Sequence, residues 1–161
     1  MRDGPGGTDR AVSVTVGYVL TLAISTLLLS GLFVAGGSFV ETERERAAQG
    51  ELRVVGERVA ADLATVDRLV ESAANRSSLT VSRPVDLPDR AAGTVYRIRV
   101  TETGERGTVA LESERTDAAV RVPFPTDATV TVRNATVTGG DLRIYWDPDA
   151  GPDGEVVVSE A

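Results

Sequence analysis

The apolar and polar residues of this chain follow three successive patterns, and the first is a long uncharged run. From Val12 to Val40 no Asp, Glu, Lys or Arg occurs. That is roughly 29 residues, against the ~20 that a membrane-spanning helix needs. At ~1.5 Å per residue such a helix is about 43 Å long, so it must tilt or project from a ~30 Å hydrocarbon layer. This pattern predicts a transmembrane helix over residues 12–40.

The second pattern is a single apolar stripe with a period of three to four residues. It predicts an amphipathic helix over residues 41–75 that continues from the span. The stripe consists of Leu52, Val55, Val59, Leu63, Val66, Val70 and Ala73. Gly50 and Gly56 interrupt this helix, and each costs about 1 kcal/mol relative to Ala, so the helix is expected to bend there.

The third pattern alternates with a period of two and fills residues 76–161. Strands are expected around 79–82, 96–100, 108–113, 120–124, 129–137, 142–146 and 155–159. A phase slip near Asn134 predicts a bulge or bend, and Gly139-Gly140 predicts a tight hairpin turn. The sequence therefore predicts an α+β fold: one long N-terminal helix followed by a small antiparallel β-sheet or sandwich head domain.

Composition narrows the range of functions. The net charge of −7 lies beyond residue 40, because Arg2 and Arg10 balance Asp3 and Asp9, and such an acidic region repels nucleic acid. The chain has no His, no Cys and no Lys, so the usual general bases, thiol nucleophiles and Schiff-base amines are missing. We therefore predict a non-enzymatic protein, with no catalytic residues, cofactor or metal site. The acidic excess and the absence of Lys also resemble the composition of proteins from salt-loving archaea.

The N-terminus carries a recognisable junction. Residues 1–11 are short, polar and rich in Gly, which predicts a disordered leader. Asp9-Arg10-Ala11 then meets the apolar run, which opens Val12-Ser13-Val14-Thr15-Val16-Gly17. This junction resembles the class III signal peptide of archaeal type IV pilins and archaellins. Val12, Ser13 and Gly17 match the haloarchaeal pattern and Val16 replaces Ile, whereas Val14 stands in place of the usual Pro and Thr15 also departs.

The resemblance implies a processing site and an assembly. A prepilin peptidase would cut between Ala11 and Val12, so Arg10, Ala11 and Val12 are the expected leader-processing residues. The retained helix would then serve as a membrane anchor and pack against other pilin-like subunits in a cell-surface filament. The leader would lie in the cytoplasm, and residues 76–161 would form an extracellular head.

Two other interpretations of the uncharged run remain open. A single-pass anchor would hold an extracellular binding or accessory domain in the membrane lipid, with no polymerisation and no cleavage. A secretory signal would be removed near Ala35, Gly36 and Gly37, although the run is about twice the 7 to 15 residues of a signal core. A hydrolase that uses carboxylates is a further alternative for the function of the chain.

Two further motifs concern modification and metal binding. Asn75-Arg76-Ser77 and Asn134-Ala135-Thr136 are acceptor sequons for N-glycosylation. The acidic segment from Asp147 to Glu155 contains oxygen ligands suited to calcium, but its spacing does not match an EF-hand loop. We interpret this segment as an acidic turn between two strands.

Overall fold

The chain forms one long helix followed by eight strands in the residues that the computed structural model describes. These are residues 6–73, 78–104, 106–126 and 130–161, with side chains described from residue 14 onward. Helix α1 is Gly6–Glu71. The strands are β1 Ser82–Val85, β2 Tyr96–Thr103, β3 Arg106–Ser113, β4 Ala119–Pro125, β5 Thr131–Val132, β6 Ala135–Thr138, β7 Leu142–Asp147 and β8 Glu155–Glu160.

Both ends of α1 differ from the predicted boundaries. The helix begins at Gly6, so part of the segment predicted as an irregular leader is helical. Residues 8–11 contain neither Gly nor Pro, and nothing in their backbone chemistry stops a helix from extending through them. At the other end the helix stops at Glu71, short of residue 75. The backbone N–H of Ala73 then bonds the carbonyl of Val70 at 3.2 Å, the tighter turn that commonly closes a helix.

The chain divides into two compact units, Met1–Glu43 and Arg44–Ala161. In the first unit, every described residue is helical and every described side chain, from Val14 to Glu43, is exposed. The second unit, which we call the head unit, holds the rest of α1 and all eight strands. The head unit therefore contains the described hydrophobic core.

The predicted stripe of α1 faces this core. Its members Leu52, Val55, Val59, Leu63, Val66 and Val70 are all buried. Burying a side chain of this size stabilises a fold by roughly 1.5–3 kcal/mol. The spacing of the apolar residues thus correctly identified the face of the helix that packs.

The strands form two sheets of four. One has the order β1-β7-β8-β5 and the other the order β4-β3-β2-β6. All pairs are antiparallel except β5 with β8, which is parallel. In β2, Tyr96, Ile98 and Val100 are buried whereas Arg97 and Arg99 are exposed, as the alternation predicts. The α+β layout, with a long helix and a β-rich head, is confirmed.

The segment around Asn134 does not form the single strand predicted for residues 129–137. β5 pairs with β8 in one sheet, and β6 pairs with β2 in the other, so the chain changes sheets at Arg133 and Asn134. The predicted phase slip marks this crossing.

The predicted hairpin at Gly139-Gly140 is wrong, because β6 and β7 belong to different sheets. Gly139 serves close packing instead. A Cβ atom at this position would overlap the ring of Tyr96.

Helix α1 contacts both sheets. A Cβ built on Gly56 would lie 2.7 Å from Leu111 Cδ1 in β3 and 2.9 Å from Val122 Cγ2 in β4. Further along the helix, Arg83 Nε in β1 donates to Asp62 Oδ1 at 2.6 Å, and Asp62 is buried. Gly56 therefore permits the close approach of α1 to β3 and β4, while the ion pair fixes α1 against β1.

We expect Gly56→Ala to destabilise the head unit by about 1–3 kcal/mol, because the new methyl group overpacks against Leu111 and Val122. Gly50→Ala is the matched control. Nothing lies within 4 Å of a Cβ at Gly50, so that variant should gain up to about 1 kcal/mol from helix propensity. The measurement is thermal unfolding of the full chain in detergent, followed by the fluorescence of the single Trp, Trp146. Equal stabilities for the two variants would contradict the close-packing role.

Tyr96 is a buried phenol in this core. Its side chain has no exposed surface, and its hydroxyl donates to the Pro88 carbonyl at 2.6 Å. Burial, and secondarily the nearby carboxylate of Asp89, raise the pKa of Tyr96 to about 12, although a hydrogen bond with the Gly140 backbone lowers it. The folded head unit thus holds this proton more tightly than the unfolded chain does.

This raised pKa predicts a loss of stability at alkaline pH. Below pH 10 the phenol is protonated in both states; between pH 10 and pH 12 the unfolded chain loses the proton and the folded chain keeps it. The free energy of unfolding should therefore fall across this window, by up to roughly 2.7 kcal/mol for two pKa units. Denaturant titrations at several pH values, compared with Tyr96→Phe, check this expectation. An identical pH slope in the variant would contradict it.

Candidate functional site

The first unit presents an uncovered apolar helix. From Val14 to Val40 every residue of α1 is exposed and none is charged. The largest side chains are among the most exposed, with Phe33 at 79% and Leu27 at 72% of their full accessible surface. Removing apolar surface from water is favourable by about 25 cal/mol for each Å². A lipid or protein environment is therefore expected around this segment.

Hydroxyl groups within this segment bond to the backbone of their own helix. Thr21 Oγ1 donates to the Gly17 carbonyl and Thr26 Oγ1 to the Leu22 carbonyl, both at 2.9 Å. Ser38 Oγ donates to the Val34 carbonyl at 3.0 Å. Each bond reaches back one turn and satisfies the hydroxyl proton without water, which is what a hydrocarbon environment requires.

The part of the chain that the structure describes contains one helix that is long and apolar enough to cross a membrane, and it lies near the N-terminus. Length and composition establish this compatibility.

The expected processing residues Arg10, Ala11 and Val12 fall within the helical range of α1. Their side chains lie outside the described residues. A peptide bond in a helix has its carbonyl hydrogen-bonded to the amide four residues later. Cleavage between Ala11 and Val12 would therefore require this turn to open in the peptidase.

The two sequons have different positions relative to the described structure. Asn75 lies outside the described residues. Asn134 is exposed at the point where the chain passes from β5 to β6, and its Oδ1 accepts a hydrogen bond from the Glu102 backbone N–H at 2.9 Å. Glu102 in turn accepts one from the Val132 backbone N–H, at 2.7 Å to Oε2. This reciprocal pair joins β2 to the crossing segment. Because an N-linked glycan is attached through Nδ2, it would leave the bonded Oδ1 in place.

The acidic segment after β7 forms a turn whose first and last carboxylates, Asp147 and Glu155, both accept hydrogen bonds. The backbone N–H of Asp149 donates to Asp147 Oδ1 at 3.1 Å, and Glu155 Oε2 accepts from Arg133 Nε at 2.6 Å. Gly151 and Gly154 adopt positive φ angles of 62° and 84°, a backbone conformation that residues with a side chain rarely adopt. Among the described residues, no group of three His, Cys, Asp or Glu side chains is placed to hold a metal ion.

A cleft in the head unit combines residues that the sequence patterns kept apart. It has a volume of about 490 Å³ and lies between α1 and the edge strand β4. Its lining includes Arg46, Gln49 and Arg53 from α1 and Arg121 from β4. The alternating pattern assigns Arg121 to the strand expected around residues 120–124 and gives it no functional role. No sequence signal connects it with Arg46, because that proximity arises from the packing of α1 beside β4.

The comparisons with known proteins identify a family without a known role. The model of DUF7266, a family of unknown function, matches residues 7–158, so the chain belongs to this family. Searches of curated proteins and of solved structures find no match to the chain.

We expect Asn134→Ala to lower the free energy of unfolding by about 1 kcal/mol, because the Glu102 backbone N–H loses its acceptor. Thr136→Ala is the matched control: it removes the same sequon at an exposed position and leaves the Asn134 amide in place. Denaturant unfolding followed by Trp146 fluorescence compares the two variants. Intact mass of the protein from its native host reports any glycan, which both variants would lose. Equal stability of Asn134→Ala and Thr136→Ala would contradict the structural role of the amide.

Proposed function

We propose that this member of the DUF7266 family is a pilin-like subunit of a cell-surface filament, anchored and assembled through its N-terminal hydrophobic helix. The observation that carries the proposal is the exposed, uncharged segment of α1 from Val14 to Val40, in which the hydroxyls of Thr21, Thr26 and Ser38 bond to the helix itself. Such a helix is compatible with both environments that a pilin helix meets, lipid before assembly and neighbouring helices after it.

The junction at Arg10, Ala11 and Val12 supports the pilin-like interpretation through its resemblance to a class III signal peptide. Under this proposal a prepilin peptidase removes residues 1–11 on the cytoplasmic side, and the head unit lies outside the cell. Removal of the polar, charged leader would leave an apolar N-terminus that can be buried among other helices.

Small residues along the helix support close packing with neighbours. A Cβ at Gly17 or Gly31 would meet nothing within 4 Å, so the backbone is accessible there. In lipid, association of helices depends on van der Waals packing and interhelical hydrogen bonds, and small residues allow backbones to approach closely. Assembly would bury the apolar helix and leave the acidic head unit exposed.

The proposed role is non-enzymatic: the head unit would present a surface, and the helix would bind lipid and related subunits. The main alternative is a single-pass anchor for an extracellular binding or accessory domain that does not polymerise. The same exposed helix fits that role, but a simple anchor would keep residues 1–11.

The N-terminal residue of the protein isolated from native membranes distinguishes these roles. We expect mass spectrometry to show a mature chain beginning at Val12, and a chain that keeps its leader in the double variant Arg10→Ala with Ala11→Leu. Arg2→Ala is the matched control, because it removes one positive charge from the leader at a distance from the junction and should leave cleavage unchanged. An intact N-terminus in the unsubstituted protein would overturn the pilin-like mechanism in favour of the anchored domain. A start near Gly37 or Ser38 would instead indicate secretion.

A further inference from the structure

The sequon Asn134-Ala135-Thr136 lies where the chain passes from one sheet of the head unit to the other. An N-glycosylation triplet requires an Asn and, two positions later, a residue with a hydroxyl group. Both of these residues are exposed in the structure. The residue between them is Ala rather than Pro, which the triplet excludes. Folding of the head unit therefore leaves both functional residues of the motif accessible.

The amide of Asn134 is anchored through its oxygen. Oδ1 accepts a hydrogen bond from the Glu102 backbone N–H at 2.9 Å. An amide turned the other way would bring two N–H donors together, so the donor fixes which atom faces β2. Within the described residues, Nδ2 has no hydrogen-bond partner. The anchored oxygen thus leaves the nitrogen, the atom to which a sugar is joined, available for reaction.

A second hydrogen bond fixes the backbone just before the sequon. Glu102 Oε2 accepts from the Val132 backbone N–H at 2.7 Å, two residues before Asn134. The crossing segment is therefore bonded to Glu102 through Val132 and again through the Asn134 amide. These two bonds hold the acceptor amide at a defined place on the surface of the head unit.

Thr136 lies on the solvent face of its sheet. It pairs with Arg99 of β2, and residues that pair directly share one face of a sheet. Arg99 is exposed, whereas Ile98 and Val100, on the other face, are buried. β6 is also an edge strand, because β2 is its one neighbour in the sheet. An enzyme that recognises the triplet can therefore reach the Thr136 hydroxyl from the solvent side.

We infer that Asn134 is the attachment site of an N-linked glycan. The sugar donor is a glycosyl ester of a membrane-lipid phosphate, and the catalyst is a glycosyltransferase. Asn134 Nδ2 forms a bond to the anomeric carbon of the sugar. The bond between that carbon and the phosphate oxygen breaks, and the lipid phosphate leaves with the electron pair. One amide proton passes to a base of the transferase, so the step needs neither an oxidant nor a reductant.

This inference rests on the proposed extracellular position of the head unit, because an acceptor triplet is used in chains that have crossed the membrane. It does not require a filament. A single-pass anchored domain in the same orientation would carry the same glycan. The bulk and hydration of a glycan also suit an exposed position outside the hydrophobic core.

Peptide mass spectrometry of the protein from its native membranes tests the inference. Trypsin cleaves after Arg, so the sequon at Asn134 lies in the peptide that ends at Arg143. The other sequon Asn, Asn75, lies in the separate peptide that ends at Arg76. We expect the peptide that ends at Arg143 to carry the additional mass of one or more sugar residues.

Two substitutions at Thr136 form a matched pair. Thr136→Val should lose the glycan completely, since it removes the hydroxyl that the triplet requires and keeps a β-branched side chain in the strand. Thr136→Ser keeps a hydroxyl group and should keep the glycan. Neither change alters the Asn134 amide. Asn134→Gln should also lose the glycan and provides an independent test. Trp146 fluorescence reports the folding of each variant.

Three results would overturn the inference. The first is an unmodified peptide ending at Arg143 in the unsubstituted protein. The second is a sugar that persists in Asn134→Gln, which would indicate attachment to a threonine hydroxyl of the same peptide. The third is a sugar that persists in Thr136→Val, which would indicate a modification that does not depend on the triplet.

Two further measurements separate the inference from the proposed function. Protease added to intact cells reports the location of the head unit, and the intact mass reports the leader. A glycan at Asn134 on a chain that keeps residues 1–11 would contradict the filament role and support the inference. An unmodified Asn134 in a head unit that the protease reaches would overturn the inference alone. A protected head unit with an unmodified Asn134 would overturn both the extracellular position and the inference.

Discussion

The head unit depends on the burial of one stripe of α1, a helix that contacts strands of both sheets. Six apolar side chains of that stripe are removed from water, and none of the short strands could form a stable core alone. The fit is close at Gly56, where Leu111 and Val122 fill the space that a side chain would need. The Asp62–Arg83 ion pair adds direction to this apolar contact, because a carboxylate with little exposed surface requires a partner. The helix is thus the element on which both sheets are arranged.

The N-terminal part of the same helix is exposed, in contrast to the buried stripe. Its apolar residues have no cover in the described structure, and the hydroxyls of Thr21, Thr26 and Ser38 bond to the helix backbone. A water-soluble protein would rarely expose such a continuous apolar surface, since patches of this kind mark interfaces with membranes or proteins. The proposed role uses this property twice, first in the bilayer and then among related helices. The head unit is folded around a hydrophobic core of its own.

The open edge of β4 has two halves that differ in their available backbone groups. Pro123 and Pro125 remove outward donors from one half of the strand, which discourages the addition of a further strand. The other half keeps its backbone groups and lies beside the arginines of α1.

Several features could be predicted from the sequence because they depend on local chemistry. The uncharged run predicts a span since charges are costly in hydrocarbon, and the period of Leu52 to Val70 identifies the buried face since neighbouring positions on a helix recur every three to four residues. Strand alternation likewise identified Tyr96, Ile98 and Val100 as buried. The sequence did not show which strands pair with each other. Gly139-Gly140 has the composition of a hairpin turn, yet the flanking strands join different sheets, and local residues carry no information about the distant partner that each strand finds.

The candidate sites divide in the same way. The junction at Arg10, Ala11 and Val12 and the sequon at Asn134 are contiguous motifs, so the sequence by itself determined where they are. The bond from Glu102 to the Asn134 amide, the close contact at Gly56 and the cleft formed by Arg46, Arg53 and Arg121 join residues that are far apart in the chain. Those features were decided by tertiary structure alone, because they exist only once the burial of one helix face has fixed which strands lie beside it.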